Sequence, residues 1–129
     1  MIGFPRYVRP HTIVLKHKVE EVDFNSVYEE ITIRYVKFDE AYSIKQSQRG
    51  IHSADDVLCI IDLNDLYAVK NERRCQYINY QSYQLQDDFF SIVEGDLIIF
   101  NNKEYTVTSI NEINPFSDKP IFIEVRANA

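Results

Sequence analysis

The chain has 129 residues, 45% of them hydrophobic, with only three glycines and four prolines and a net charge of −6. That size suits one domain burying roughly two-thirds of its unfolded surface, and the composition excludes a disordered or low-complexity chain. Two cysteines, Cys59 and Cys75, make no disulfide framework, nothing at the N-terminus reads as a signal peptide, and no apolar run approaches the ~18 residues of a membrane span, so a soluble protein of a reducing cytoplasm is expected.

Residues 1–10, with Pro5 and Pro10, read as an extended arm. Residues 1–19 hold Arg6, Arg9, Lys16 and Lys18 and no acid, whereas residues 54–129 hold six basic and thirteen acidic residues. A basic arm on an acidic body suits head-to-tail contact between copies and disfavours general coating of nucleic acid; solvated charge is the plain alternative. His11 to Val19 alternates as a first strand, with Ile13 and Leu15 on one face. Asp23 to Ser26 supplies turn residues. Val27 to Asp39 reads as a long second strand with Ile31, Ile33 and Tyr35 on one face, after which the apolar set moves to Val36 and Phe38. A β-bulge produces such a one-residue phase change.

Ala41 to Ala54 is a polar gap with only Ile44 and Ile51 clearly apolar. Loops of this length within a compact domain are usually functional or disordered. Val57 to Ile61 is apolar on both faces, as in a strand covered on each side or a central strand of a small barrel. Asn64 to Gln86 is ambiguous. Asn64 or Asp65 offers a helix cap and Tyr77, Tyr80 and Tyr83 recur at a helical spacing, yet Tyr-rich, Asn/Gln-rich runs also form strands, and a hairpin or short strands are favoured here. Glu94 to Val107 is the clearest element: Gly95-Asp96 opens one apolar run, and Asn101-Asn102 joins it to the next as a tight hairpin turn. A loop from Asn111 to Lys119 holds Pro115, and Ile121 to Val125 is the last strand. The chain is therefore expected to be mainly β: a small β-barrel or sandwich of six or more short, mostly antiparallel strands, with a long polar loop after the second strand and a single domain over residues 1–129.

Little in this pattern carries chemistry. His11 and His17 lie about 20 Å apart on a regular strand, too far to share a metal, and His52 stands in the polar loop. Cys59 reads as a small core residue. Cys75 follows Arg73 and Arg74, which favour a thiolate, but it has no motif partner. The carboxylates Asp55-Asp56 and Asp62/Asp65 stand near the two ends of a strand, where turn and solubilising roles outnumber acid–base work or Mg²⁺ binding. No phosphate loop, nucleophile elbow or zinc spacing occurs, so neither an enzyme nor a cofactor is expected. Tyr77, Tyr80 and Tyr83 with Arg73 and Arg74 form an aromatic–basic cluster of the kind that stacks single-stranded nucleic acid on small barrels; core packing or subunit contact is its structural alternative.

Glu94 to Val107, followed by Asn114 to Lys119 and the final strand, resembles the minor capsid or head–tail connector proteins of tailed phages and prophages. In that family an apolar strand follows Gly-Asp, then an Asn-Gly-Lys-Glu-Tyr-type turn, then a loop with Pro and Ser. Tyr42, Ser43 and Arg49-Gly50, ahead of Ala54 to Asp62, are similar to the polar loop and apolar strand of the same proteins. The chain has Asn102 where the family prefers Gly, and Asn64 to Gln86 reads as an insertion. The resemblance implies a head-closure (head-completion) component: a small barrel that assembles as a ring under the portal, extends or gates the DNA channel and docks the tail. It implies the virion neck as location, reached from the host cytoplasm during assembly. The implied partners are a portal or adaptor ring above, a tail or tail-completion protein below, and packaged DNA touched without sequence reading. The projecting loop would be Tyr42 to Ser53, with Lys45, Gln46, Arg49 and His52 facing the channel. Arg6, Arg9, Tyr77, Tyr80 and Tyr83 are the candidates for subunit contact. A small barrel binding single-stranded nucleic acid is the alternative.

Overall fold

A computed structural model describes residues 5–22, 25–39, 56–80, 88–114 and 120–129, and the side chains of all of these except 19–22 and 25–26. After a short 3₁₀ turn at Arg6–Val8 the described residues form nine strands: β1 (His11–Val22), β2 (Asn25–Asp39), β3 (Asp56–Asp62), β4 (Tyr67–Lys70), β5 (Arg73–Tyr77), β6 (Phe89–Phe90), β7 (Leu97–Phe100), β8 (Lys103–Ile113) and β9 (Phe122–Asn128). The fold is mainly β, and all pairings are antiparallel except β5 with β6.

The strand order runs β1-β7-β8-β9-β3-β2, and β1 also pairs with β2, so six strands return to their starting point. Closure of this kind removes the exposed edges that short strands otherwise present. Alternation fills the interior: Ile13, Leu15, Ile31, Ile33, Cys59, Ile61, Ile98, Val107, Ile123 and Val125 are all buried. At one end Phe38 stacks on Phe100 at 4.3 Å and tilts against Tyr105 at 5.1 Å. His11 belongs to the same layer, its Nδ1 accepting the Phe38 N–H at 3.0 Å and its ring edge-on to Phe100.

The phase change in β2 is a bulge. His11 faces Val36 and Ile13 faces Ile33, so β2 spends one residue more than β1 over that interval. Tyr35 takes φ +58° there, a left-handed conformation that most side chains disfavour by about 1–2 kcal/mol. The bulge also divides β2's second edge: Lys37 to Asp39 pair with β3, whereas Thr32 to Arg34 pair with β4. β3 is accordingly the central barrel strand, with Val57, Cys59 and Ile61 inward and Leu58 and Ile60 half-covered.

Within the described part of the ambiguous stretch, residues 64–80, the β4–β5 hairpin forms, with Asn71 and Glu72 both at positive φ in its turn. That hairpin extends the sheet alongside β2 and is thus part of the fold's frame. The β7–β8 hairpin is as the Asn-Asn pair predicts: φ is +51° at Asn101 and +63° at Asn102, the signature of a two-residue turn matched to strand twist. Gly95 takes φ +94° with open space around its Cα, so backbone conformation alone requires a glycine. β1 and β2 pair as far as Val22 and Asn25, beyond the expected strand ends at Val19 and Val27. The loop assigned to residues 41–54 lies wholly outside the described residues, between β2, which ends at Asp39, and β3, which starts at Asp56.

Candidate functional site

Three groups of polar residues depart from the barrel's apolar logic. The first fastens the arm. Arg9 is only 2% exposed. It donates through Nη1 to the Tyr35 carbonyl and through Nη2 to Asp65 at 2.8 Å, and its Nε lies 3.8 Å from Asp62. Asp62, also buried, accepts the Asn64 N–H at 2.8 Å. Arg6 forks onto Asp65 with bonds of 2.8 and 2.9 Å, and its guanidinium lies 3.9 Å above the Tyr35 ring. The hydrogen bond from Arg6, and then that from Arg9, hold the Asp65 carboxyl well below the usual carboxylate range. Asp65 in turn raises Arg6. The acids at the end of β3 thus serve the arm, and Arg9 is spent within its own subunit. Among the arm's described residues all but Arg9 are exposed, Tyr7 (81%) and Val8 being its exposed hydrophobics.

The second group lies inside the barrel's other end. The His17 Nδ1–H donates to Asp96 at 2.7 Å, both groups buried. Asp96 also accepts the N–H of Val93 at 2.9 Å. Lys70, on β4, reaches Glu29 at 3.3 Å and the Phe89 carbonyl, tying the β4–β5 hairpin to β2 and β6. Tyr80 meets the His17 ring edge-on with centroids 6.1 Å apart. These bonds satisfy polar groups that would otherwise be costly to bury. Among the described residues, no cluster of three or more His, Cys, Asp or Glu side chains could hold a metal ion.

The third group is on the outside. β2, β4 and β5 align Arg34 with Tyr67, and Val69 with Arg74. The outward side chains form a stacked series. Arg6 lies over Tyr35, Tyr35 meets Tyr67 edge-on at 5.9 Å, and Tyr67 carries Arg74 at 4.0 Å and Arg34 at 5.5 Å. Arg34 and Arg74 are exposed. Arg74 donates to the Leu66 carbonyl, and neither arginine has an ion-pair partner among the described residues. The bulge helps build this surface, because it turns the adjacent residues Arg34 and Tyr35 to the same side.

Of the tyrosines expected to act together, Tyr77 and Tyr80 have different surroundings. Tyr77 is half-buried, packs against Phe90 at 5.8 Å and donates to Glu112. Burial, with Glu112 beside it, pushes its hydroxyl far above the ordinary tyrosine value. Tyr80 is 53% exposed, and Tyr83 lies outside the described residues, as do Lys45, Gln46, Arg49 and His52. Arg73 bonds Asp88 at 3.2 Å, while Arg74 turns to Tyr67. An open cleft of ≈ 760 Å³ lies beside Tyr77 and is bordered by Leu66, Arg74, Asn79 and Glu112. Cys75 does not become a ready thiolate. Burial pushes it up to about 11 against the opposing pull of Lys70 and Arg74, and burial alone takes Cys59 to about 12.

Sequence reading missed the outer face because its members lie far apart, from Arg6 to Arg74, and meet only through strand pairing. No helix is long and apolar enough to cross a membrane among the described residues. The model of a family of unknown function (DUF6751) matches residues 9–126. No curated protein and no solved structure matches the chain.

Proposed function

This chain belongs to that family, and we propose that it is a structural connector of tailed-phage particles, a head-closure component that forms a ring under the portal. The reading is carried by the β7–β8 hairpin. The residues that resemble connector proteins, Gly95-Asp96 through Val107, act here as framework: a positive-φ glycine, a buried aspartate and a paired-asparagine turn inside a closed barrel. The ion pairs within the subunit favour the same reading. Arg9, Asp62, Asp65, His17, Asp96, Lys70 and Glu29 hold strands and arm together, as suits an object that acts by assembly. Its partners would be a portal or adaptor ring above, a tail or tail-completion protein below, and further copies at its sides. Closing a ring requires head-to-tail contacts related by rotation. Arg6, Tyr7 and Tyr80 are exposed and supply candidate contact points.

The test is electron microscopy and light scattering of the protein mixed with a portal or adaptor ring. Added density beneath that ring is expected; failure to bind either ring counts decisively against the proposal. The segment from Tyr42 to Ser53 is assigned to the channel, with Lys45, Gln46, Arg49 and His52 toward DNA. Deleting residues 45–51 should leave the melting temperature within a few degrees and impair DNA retention in assembled particles. A collapse of thermal stability would make that segment structural. A second reading, a single-strand-binding barrel, draws on the exposed Arg–Tyr face of β2, β4 and β5.

A further inference from the structure

We infer that the outer face of β2, β4 and β5 is a phosphate-binding surface for duplex DNA, with Arg34 and Arg74 as its contact residues and Tyr35 and Tyr67 as their supports. For the identification of the ligand as packaged duplex, this inference rests on the connector reading; the surface itself rests on its own geometry. A guanidinium over a tyrosine ring is held in place by the ring while part of its N–H edge stays free for an anion; Arg74 also donates from Nη2 to the Leu66 carbonyl at 3.0 Å, which fixes it further. Arg74 lies 4.0 Å and Arg34 5.5 Å from the same Tyr67 centroid. Their charges are therefore separated by no more than about 10 Å, one Debye length at 0.1 M salt, and their fields add. Of the acids bordering this face, Asp65 is engaged by Arg6 and Arg9, Glu30 lies 3.9 Å from Lys16, and Glu72 stands exposed in the β4–β5 turn. The pair Arg34 and Arg74 makes the middle of the face locally basic on a chain of net charge −6.

The same stacking decides between forms of nucleic acid. Single-strand binders offer bare aromatic faces to bases. Here Arg6 lies over Tyr35 and Arg74 over Tyr67, so a base would have to displace an arginine to stack on either ring. The groups offered outward are guanidinium edges, which suit phosphate oxygens and read no sequence.

The experiment measures fluorescence anisotropy of a labelled 20-base-pair duplex, and of one of its strands, from 20 to 200 mM salt. It compares the native chain, Arg34→Gln/Arg74→Gln and Arg34→Lys/Arg74→Lys. The native chain should bind the duplex at micromolar to hundred-micromolar concentration with no sequence preference, the range expected of phosphate contacts alone. The glutamine variant should lose at least tenfold and lower the salt slope by about two, roughly one per arginine removed. The lysine variant should keep the slope. Circular dichroism melting checks that the variants remain folded. The inference is overturned if the native chain binds no duplex at 20 mM salt, if the glutamine variant binds equally well, or if only the single strand binds. Duplex binding without recruitment to a portal or adaptor ring would sink the connector reading and leave this surface standing.

Discussion

Asp96 shows how one residue can be visible in a sequence and still be misplaced in role. Its neighbour Gly95 marks a turn at once, but the partner that explains Asp96 is His17, 79 positions away. Nothing local distinguishes that histidine from a surface one; only the barrel's closure of β1 on β7 brings the two together. Replacing Asp96 with alanine strands the His17 N–H and the Val93 N–H in a buried site. Each orphaned group costs about 1–3 kcal/mol, so urea unfolding should show a loss of about 2–6 kcal/mol. The thiols follow from burial in the same way. With Cys59 near 12 and Cys75 near 11, a disulfide reagent at pH 8 should label neither in the folded protein and both in denaturant. Rapid labelling of Cys75 in the native state would contradict its assigned environment.

Among the elements, turn chemistry and periodicity were legible where they were strongest. The Asn-Asn hairpin, the bulge at the Ile33–Val36 phase change and the apolar β3 all follow from residue types and spacing. The stretch from Asn64 to Gln86 was harder because its tyrosines repeat at a helical interval while serving different neighbours. Tyr77 turns to Glu112, and Tyr80 meets the His17 ring. Asn102 offers a direct test of the turn. Both central residues hold left-handed φ, and glycine at the second position is the preferred partner of asparagine in such loops. Asn102→Gly should therefore raise stability by about 0.5–1 kcal/mol, measured as a rise in denaturation midpoint at constant m-value.

At the scale of the whole molecule, pH acts on both flanks of stability. Asp65 has a folded pKa depressed by Arg6 and Arg9. Its contribution is fully present above the ordinary carboxylate value near pH 4 and is lost as pH falls through the depressed folded value; its partial exposure keeps the effect small. On the alkaline side the signs reverse. Cys59, Cys75 and Tyr77 all have raised folded pKa values, so the stability they lend is complete below their unfolded values. It is lost as pH rises from the unfolded toward the folded ones. Stability should begin to fall above about pH 8.5, by up to about 1.4 kcal/mol per pH unit for each thiol. A Cys59→Ala/Cys75→Ala variant should flatten that decline up to about pH 10 in guanidinium titrations. The barrel was foreseeable from the number of strands. The ring order was not, since pairings such as Val14 with Ile99 and Cys59 with Val125 join positions whose hydrophobic patterns carry no address.

That ring order also sets a timetable. β1 and β2 are sequence neighbours and can zip as soon as both leave the ribosome, yet β1's other edge waits for Leu97 to Ile99 and β3 waits for β9. Until the last quarter of these residues is made, the nascent sheet of β1, β2 and β3 must hold two open edges, on β1 and on β3, and final closure spans most of the fold. Long-range closure of this kind slows folding. The barrel should therefore close only once β9 has been made, with pairing at β3–β9 as its last act.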